Sequence, residues 1–392
     1  MRRRVLVVVQ RYGEEVVGGS EQHARLAARR LAERHDVEVA TTTALDYWTW
    51  APHFAVGTTA VDGIPVHRFA VASGRAPDFK DFERRVLFEP HDAADEDAWT
   101  TKQGPHAPEL LEFLHREGGV YDALLFWTYL YEPAARGVPL APERSGLVST
   151  AHDELPLRLA PYRSLFHLPR AIGYLTPEER ALVHREFRNE EVPDVILGTG
   201  LEPPRPHDAV EFRRARGLAG PLVLYLGQVS EGKACDELFA AWAAFRDPPG
   251  APAATLVLCG TVRMEIPVRD DVLALGRVSD EEKLGALAAA DALILPSRLE
   301  RLGIVLLEAW QVGTPVLVAA VNPVTAGQVR RAGGGLAYGT PDEFAARLTA
   351  LLTDRATARQ LGARGRAWVE RECTLGAFDR RLDELVDLVA LR

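Results

Sequence analysis

Between Asp291 and Val318 the chain reads DALILPSRLERLGIVLLEAWQVGTPVLV, and this order of elements admits few folds. Asp291–Leu295 is a short apolar run with the character of a buried parallel strand, ended by Pro296-Ser297, and Thr314–Val318 is a second. The segment between them must then hold a crossover helix. Its expected start is near Gly303, and Gly313 is a C-terminal stop signal. Ile304, Val305, Leu306, Leu307, Ala309, Trp310 and Val312 are apolar. Glu308 is thus the lone charge on a helix that reads as buried nearly all round, and an ionised carboxylate in such a place needs a partner.

The free amides of Leu302, Gly303, Ile304 and Val305 are expected to point from the helix mouth into the crevice at the carboxyl end of the strand. Backbone N–H groups and the helix dipole suit a diphosphate. Glu308 lies about 7 Å further along the axis at roughly 1.5 Å rise per residue, where a carboxylate can accept from both hydroxyls of a ribose. Glu300, in the loop feeding the helix, can do the same for hydroxyls beyond the phosphates. From spacing alone a plainer assignment stays open, with Glu308 paired to an arginine such as Arg263 or Arg301 and Glu300 solvated.

Glu300 and Glu308, with Pro296-Ser297 before them and G-I-V-L-L-E-A-W and G-T-P-V-L-V around and after, resemble the E-x7-E signature of glycosyltransferase family 4. Those are retaining nucleotide-sugar glycosyltransferases of GT-B fold. The resemblance implies an α/β chain of two Rossmann-like, doubly wound parallel-sheet domains facing across a cleft, with Glu300 on the donor sugar and Glu308 on the ribose. The stretch L-Y-L-G-Q-V-S-E-G-K-A-C-D from Leu224 to Asp236 resembles the family pattern G-R-x-x-x-x-K-G-x-D. Lys233 matches the lysine that stabilises charge on the leaving phosphate. Gln228 stands at the arginine position and Ala234 at the following glycine, so one positive charge is missing, for which Arg277, Arg298 or Arg301 are candidate substitutes.

Further resemblances extend this set. V-G-G-S-E-Q-H, with Gly18 and Gly19, resembles the family's N-terminal glycine motif, which lines the cleft. T-A-H-D-E resembles a segment whose histidine, here His152, contacts the donor sugar opposite the glutamates; Asp153 and Glu154 are alternatively caps of the next helix. Gly276-Arg277-Val278 resembles the place where main chain reads the nucleobase. Trp99, Gln103, Tyr129 and Tyr131 combine aromatic faces with polar groups, as an acceptor site would, though a satellite core fits them equally. No metal-ligand spacing and no P-loop occurs, so metal-free binding of a UDP- or GDP-type sugar without a further cofactor is expected.

The chain has 392 residues, 47% hydrophobic and 26% charged, with net charge −9. That is enough for two full cores, and the acidic balance argues against nucleic acid as partner. Cys235, Cys259 and Cys373 lie outside any C-x-x-C spacing and read as reduced core thiols, hence a cytoplasmic location. Met1-Arg-Arg-Arg4 before an apolar run imitates a leader, but the run is short and reads as a first strand. Arg25, Arg29, Arg30 and Arg34 populate one side of the first helix, a solvated face or a peripheral contact with the inner face of a membrane.

Alternating strands and helices occur in two successive runs, joined at the proline-dense Gly200–His207. The expected organisation is residues 1–200 as an acceptor-side domain, 201–374 as a donor-side domain, and 375–392 as a helix returning to the first. Ala72–Pro108 shows no lasting periodicity and is expected as an excursion over the site. The partners implied are a nucleotide sugar and a hydroxyl-bearing acceptor. A catalytically weak GT-B scaffold, suggested by Gln228, and a GT-B epimerase or phosphorylase are the alternatives.

Overall fold

The computed structural model describes residues 2–390; Met1 and the last expected helical residue, Leu391, lie outside the described residues. The chain divides into two compact units, residues 1–200 with 375–392, and residues 201–374.

The first unit is built on an eight-stranded sheet in the order β3-β4-β2-β1-β5-β6-β7-β8. Its strands are β1 (Arg4–Val8), β2 (Asp36–Thr42), β3 (Gly57–Val61), β4 (Ile64–Phe69), β5 (Ala123–Trp127), β6 (Ser145–Val148), β7 (Ala171–Tyr174) and β8 (Asp194–Ile196). All neighbours are parallel except the β3–β4 hairpin. Asp62 and Gly63, with φ of 53° and 76°, form its turn, a geometry that favours this residue pair. The strand order reverses at β1, which pairs with β2 on one side and β5 on the other.

The second unit holds a six-stranded parallel sheet in the order β11-β10-β9-β12-β13-β14. These are β9 (Leu222–Leu226), β10 (Thr255–Cys259), β11 (Val272–Gly276), β12 (Ala292–Leu295), β13 (Val316–Ala319) and β14 (Gly335–Tyr338). Here the reversal falls at β9, between β10 and β12. Both units are therefore α/β and doubly wound. In such sheets the crevice beyond the carboxyl ends of the strands, at the reversal, is where ligands bind.

The final helix, Leu375–Ala390, belongs to the first unit and packs on β5 to β8 and on the helix Gly19–Ala32. It buries Phe378, Leu382, Leu385, Val386 and Val389. Its outer turn explains the arginine stripe of the first helix. Arg30 reaches Asp379, and Arg34 reaches Asp383 through Nε at 2.9 Å. Arg25 holds Asp62 at 2.7 Å. Three of the four arginines are thus engaged in ion pairs within the unit.

The segment 72–108 is also more regular than its composition suggests. It forms the helices Phe79–Phe88 and Ala93–Gln103, clamped by a two-toothed Arg85–Asp95 pair with both contacts at 2.7 Å. Phe79, Phe82 and Trp99 insert into the core of the first unit. The three cysteines are buried and free. Among the described residues no helix is long and apolar enough to cross a membrane.

Candidate active site

In the second unit the predicted residues converge at the strand reversal. Lys233 follows β9 and Glu300 follows β12, and because these strands are neighbours the two side chains meet: Lys233 Nζ donates to Glu300 Oε1 at 2.7 Å. Both are partly exposed, so solvent and a ligand can reach the pair. The segment Pro296–Gly303 makes the connection, and it is fixed from below. Asn322 Nδ2 donates to the Ser297 carbonyl at 3.1 Å, and Gln328 Nε2 donates to the Leu302 carbonyl at 2.8 Å. Neither residue carries a motif in the sequence; only the fold brings the helix Pro323–Ala332 under this loop.

Gly303 is the N-cap of the helix Ile304–Gln311, with φ 66° and ψ 51°. A β-carbon at this position would stand 3.1 Å from Thr325 Cγ2, and the left-handed backbone itself favours glycine. Gly303 turns the chain so that the amides of Ile304 and Val305 begin the helix without intrahelical partners. Leu306, Leu307, Ala309 and Trp310 face inward, but Ile304, Val305, Glu308 and Gln311 are only half-buried. The helix is therefore apolar but not buried all round.

Glu308 has a partner, and it is neither Arg263 nor Arg301. Lys283 Nζ, on the helix Asp280–Ala289, donates to Glu308 Oε1 at 2.8 Å. Burial pulls the Lys283 ammonium down, but the Glu308 carboxylate outweighs it, so its pKa lies above the ordinary lysine value. Of the candidate substitutes for the missing arginine, Arg298 is held by Glu237 at 2.8 Å and Arg277 is exposed. Gln228 is exposed too, and its carbonyl accepts from Tyr225 at 2.7 Å. Gly276, with φ 67°, ends β11 beside Arg277 and half-buried Val278, and its carbonyl accepts from Gly260 at 2.7 Å.

In the first unit Gly18 caps the helix Gly19–Ala32. A β-carbon on Gly18 would fall 2.2 Å from Glu21 Oε2, whereas Gly19 has open space. The reason is a buried cluster that the sequence did not disclose. Glu21 Oε1 accepts from Gln10 Nε2 at 2.8 Å and Arg11 Nε at 2.9 Å, while Ser20 donates to Oε2 at 3.0 Å. This locks the end of β1 to the helix start, so Gly18 serves that lock as well as the edge.

His152 follows β6, with Nε2 at 3.3 Å from Glu154 Oε2; Tyr129 donates to the other carboxylate oxygen at 2.6 Å. Thr128 and Thr150, at the carboxyl ends of β5 and β6, hold φ of 69° and 52°, and such strain concentrates at functional edges. The proposed acceptor set needs correction. Trp99 and Tyr129 are core residues, packed with Tyr162 and, for Trp99, Phe79. Gln103 is buried, and its carbonyl accepts from Trp50 Nε1 at 2.9 Å. Their aromatic faces are consumed by one another, so Tyr131, half-buried against Trp50, is the member of the four that retains surface. Among the described residues no three His, Cys, Asp or Glu side chains gather as metal ligands.

Residues 210–368 match the family model described as Glycosyl transferases group 1. The D-inositol 3-phosphate glycosyltransferase of Salinispora arenicola is 35% identical over 198 residues, covering 45% of this chain and 43% of that protein. The GDP-mannose-dependent monoacylated alpha-(1-6)-phosphatidylinositol monomannoside mannosyltransferase of Corynebacterium glutamicum is 29% identical over 221 residues, covering 50% and 55%. The chain spans about half the length of the curated relatives it matches. Sucrose-phosphate synthase from Thermosynechococcus elongatus superposes with a TM-score of 0.72 at 18% identity, over 98% of both chains. Anabaena HepE in complex with UDP and glucose gives 0.66 at 16% identity, over 98% of this chain and 100% of that one. These neighbours show the fold of the GT-B glycosyltransferases, and the residues matched by the family model lie within the second unit.

Proposed function

We propose that the protein is a retaining glycosyltransferase that moves a hexose-type sugar from a nucleoside diphosphate, of UDP or GDP type, to a hydroxyl acceptor. The observation that carries this reading is the Lys233–Glu300 contact at the mouth of the helix Ile304–Gln311, with Glu308 one to two turns on. Lys233 and the amides of Ile304 and Val305 hold the diphosphate, Glu308 the ribose hydroxyls and Glu300 the sugar. Main chain and side chains from Gln228 and from Gly276 to Val278 flank the nucleotide. The first unit supplies the acceptor side, with His152, Gly18, Gly19 and Tyr131 at its carboxyl edge.

In the step itself the bond from the anomeric carbon to the phosphate oxygen breaks while a bond to the acceptor oxygen forms on the same face. The acceptor proton passes to the departing phosphate, so no protein nucleophile or metal is required. In this reading a bound donor exchanges with Glu300 for the ammonium of Lys233. The relatives are named for D-inositol 3-phosphate and for GDP-mannose with a phosphatidylinositol mannoside, which supports a polyol acceptor.

Gln228 favours one other reading, a catalytically weak protein that binds donor or partner. Two assays on the full chain separate them. Isothermal titration with UDP and GDP tests the donor site, and release of UDP or GDP from its sugar, with and without acceptor, tests turnover. Acceptor-dependent release supports the transferase. Nucleotide binding without release, and a large gain on Gln228→Arg, supports the weak protein.

A further inference from the structure

Arg68 ends β4 with its side chain buried, at 4% exposure, inside the first unit. Its Nη1 has no hydrogen-bond partner, and the hydroxyl of neighbouring Tyr12, fully buried, has none either. The guanidinium lies over the Phe54 ring at 4.0 Å, which shields one face and supplies no counter-charge. The nearby carboxylates are engaged elsewhere: Asp62 with Arg25 at 2.7 Å, Glu14 with Arg25 at 3.5 Å and Glu15 with His53 at 3.3 Å. Burial holds the Arg68 pKa below its ordinary value, with Tyr12 and Glu15 as the groups that act against it. An uncompensated buried charge is costly, and ionisable groups so perturbed cluster at functional sites.

The charge does not face packed protein. Arg68 lines a cavity of about 310 Å³ together with Gly13, Glu14, Glu15, Phe54 and Asp62. The cavity runs along β3, from Arg68 near the carboxyl end of β4 to Asp62 in the β3–β4 turn, against the loop that follows β1. Its floor is cationic and its rim acidic, since Glu14 and Glu15 are exposed. A fully anionic ligand would be repelled at the rim. One with an oxyanion at one end and hydroxyl donors along the rest matches both.

We propose that this pocket binds a small polyhydroxylated ligand by its oxyanion, a phosphate monoester or carboxylate, with Arg68 donating to that group and Glu14 and Glu15 accepting from hydroxyls. The site stands on the first unit alone; that its occupant is the sugar acceptor rests on the transferase reading.

Isothermal titration of the full chain with glucose 6-phosphate, glucuronate and glucose tests it. One or both charged sugars bind saturably, which tells phosphate from carboxylate, and glucose does not. Arg68→Gln weakens that binding by about tenfold or more and Arg68→Lys, which keeps the charge but not the planar fork, by about threefold, while UDP affinity is unchanged in both. Arg68→Gln melts at or above the wild-type temperature because it removes the uncompensated charge. Binding of neither charged sugar, equal binding of glucose, or undiminished binding in Arg68→Gln overturns the proposal. If Arg68→Gln does not fold, undiminished binding in Arg68→Lys overturns it. A wild type that binds no nucleotide overturns the donor reading instead and leaves this test standing.

Discussion

Lys233 and Lys283 each meet one of the two glutamates of the signature, Lys233 at Glu300 and Lys283 at Glu308. The two pairs differ in kind. Lys233 and Glu300 sit in loops open to solvent, where a pair adds little stability and is free to exchange for a ligand. Lys283 and Glu308 stand on packed helices and are mostly shielded. Lys283→Met should therefore destabilise the second unit by about 1–2 kcal/mol by leaving a shielded carboxylate unpaired. Urea denaturation measures this, and Lys283→Met combined with Glu308→Gln should recover part of the loss. Lys233→Met should leave the urea midpoint nearly unmoved. The sequence disclosed Glu300, Glu308 and Lys233 because a motif spaces them. It could not disclose Lys283, Asn322 or Gln328, whose proximity arises only when the helices that bear them are folded against the loop.

Elements whose local signals agree were legible; those shaped by tertiary contacts were not. The apolar runs of β9, β12 and β13 are buried on both faces and announce themselves as continuous hydrophobic stretches. β3, reading GTTAV, lies almost wholly exposed at a sheet edge, so it carries no alternating apolar pattern, and its only sign was the Asp62-Gly63 turn. The helices of segment 72–108 were missed because acidic residues and proline obscured Phe79, Phe82 and Trp99 as core anchors. The same anchoring withdrew Trp99 and Tyr129 from the acceptor set. At the helix Ile304–Gln311 everything depends on its cap. Gly303→Ala forces a side chain into a left-handed backbone and against Thr325, and should cost about 1–2 kcal/mol. It should also weaken nucleotide binding by tilting the amides of Ile304 and Val305; a urea titration and a UDP titration of the same variant read both.

Across the molecule, each unit's strand reversal gathers chemistry while the closing helix secures the first unit. His23 is part of that security. It is buried, accepts from Trp127 Nε1 at 3.1 Å on Nδ1, donates to the Gly198 carbonyl at 2.8 Å, and lies edge-on to Phe378 of the closing helix. Burial pushes its pKa down to about 4, against the bond to the Gly198 carbonyl, so the folded protein holds it neutral. Its folded pKa is below the unfolded value near 6.5, so its contribution is whole above that pH and is lost as pH falls towards 4. The span of this loss is about 3 kcal/mol. Urea midpoints between pH 7.5 and 4.5 should fall more steeply for the wild type than for His23→Gln, whose own starting stability is lower.

The mouth of the helix Ile304–Gln311, with Glu300, Glu308 and Lys233 around it, is the proposed seat of a nucleoside diphosphate sugar. Calorimetric titration of UDP-glucose and GDP-mannose against the wild type, Glu308→Ala and the double variant Glu300→Ala/Glu308→Ala tests it most directly. The expected result is saturable binding of one donor to the wild type, about 10- to 100-fold weaker in Glu308→Ala and weaker again in the double variant. Equal affinity in all three proteins, or no binding of either donor to the folded wild type, would contradict it.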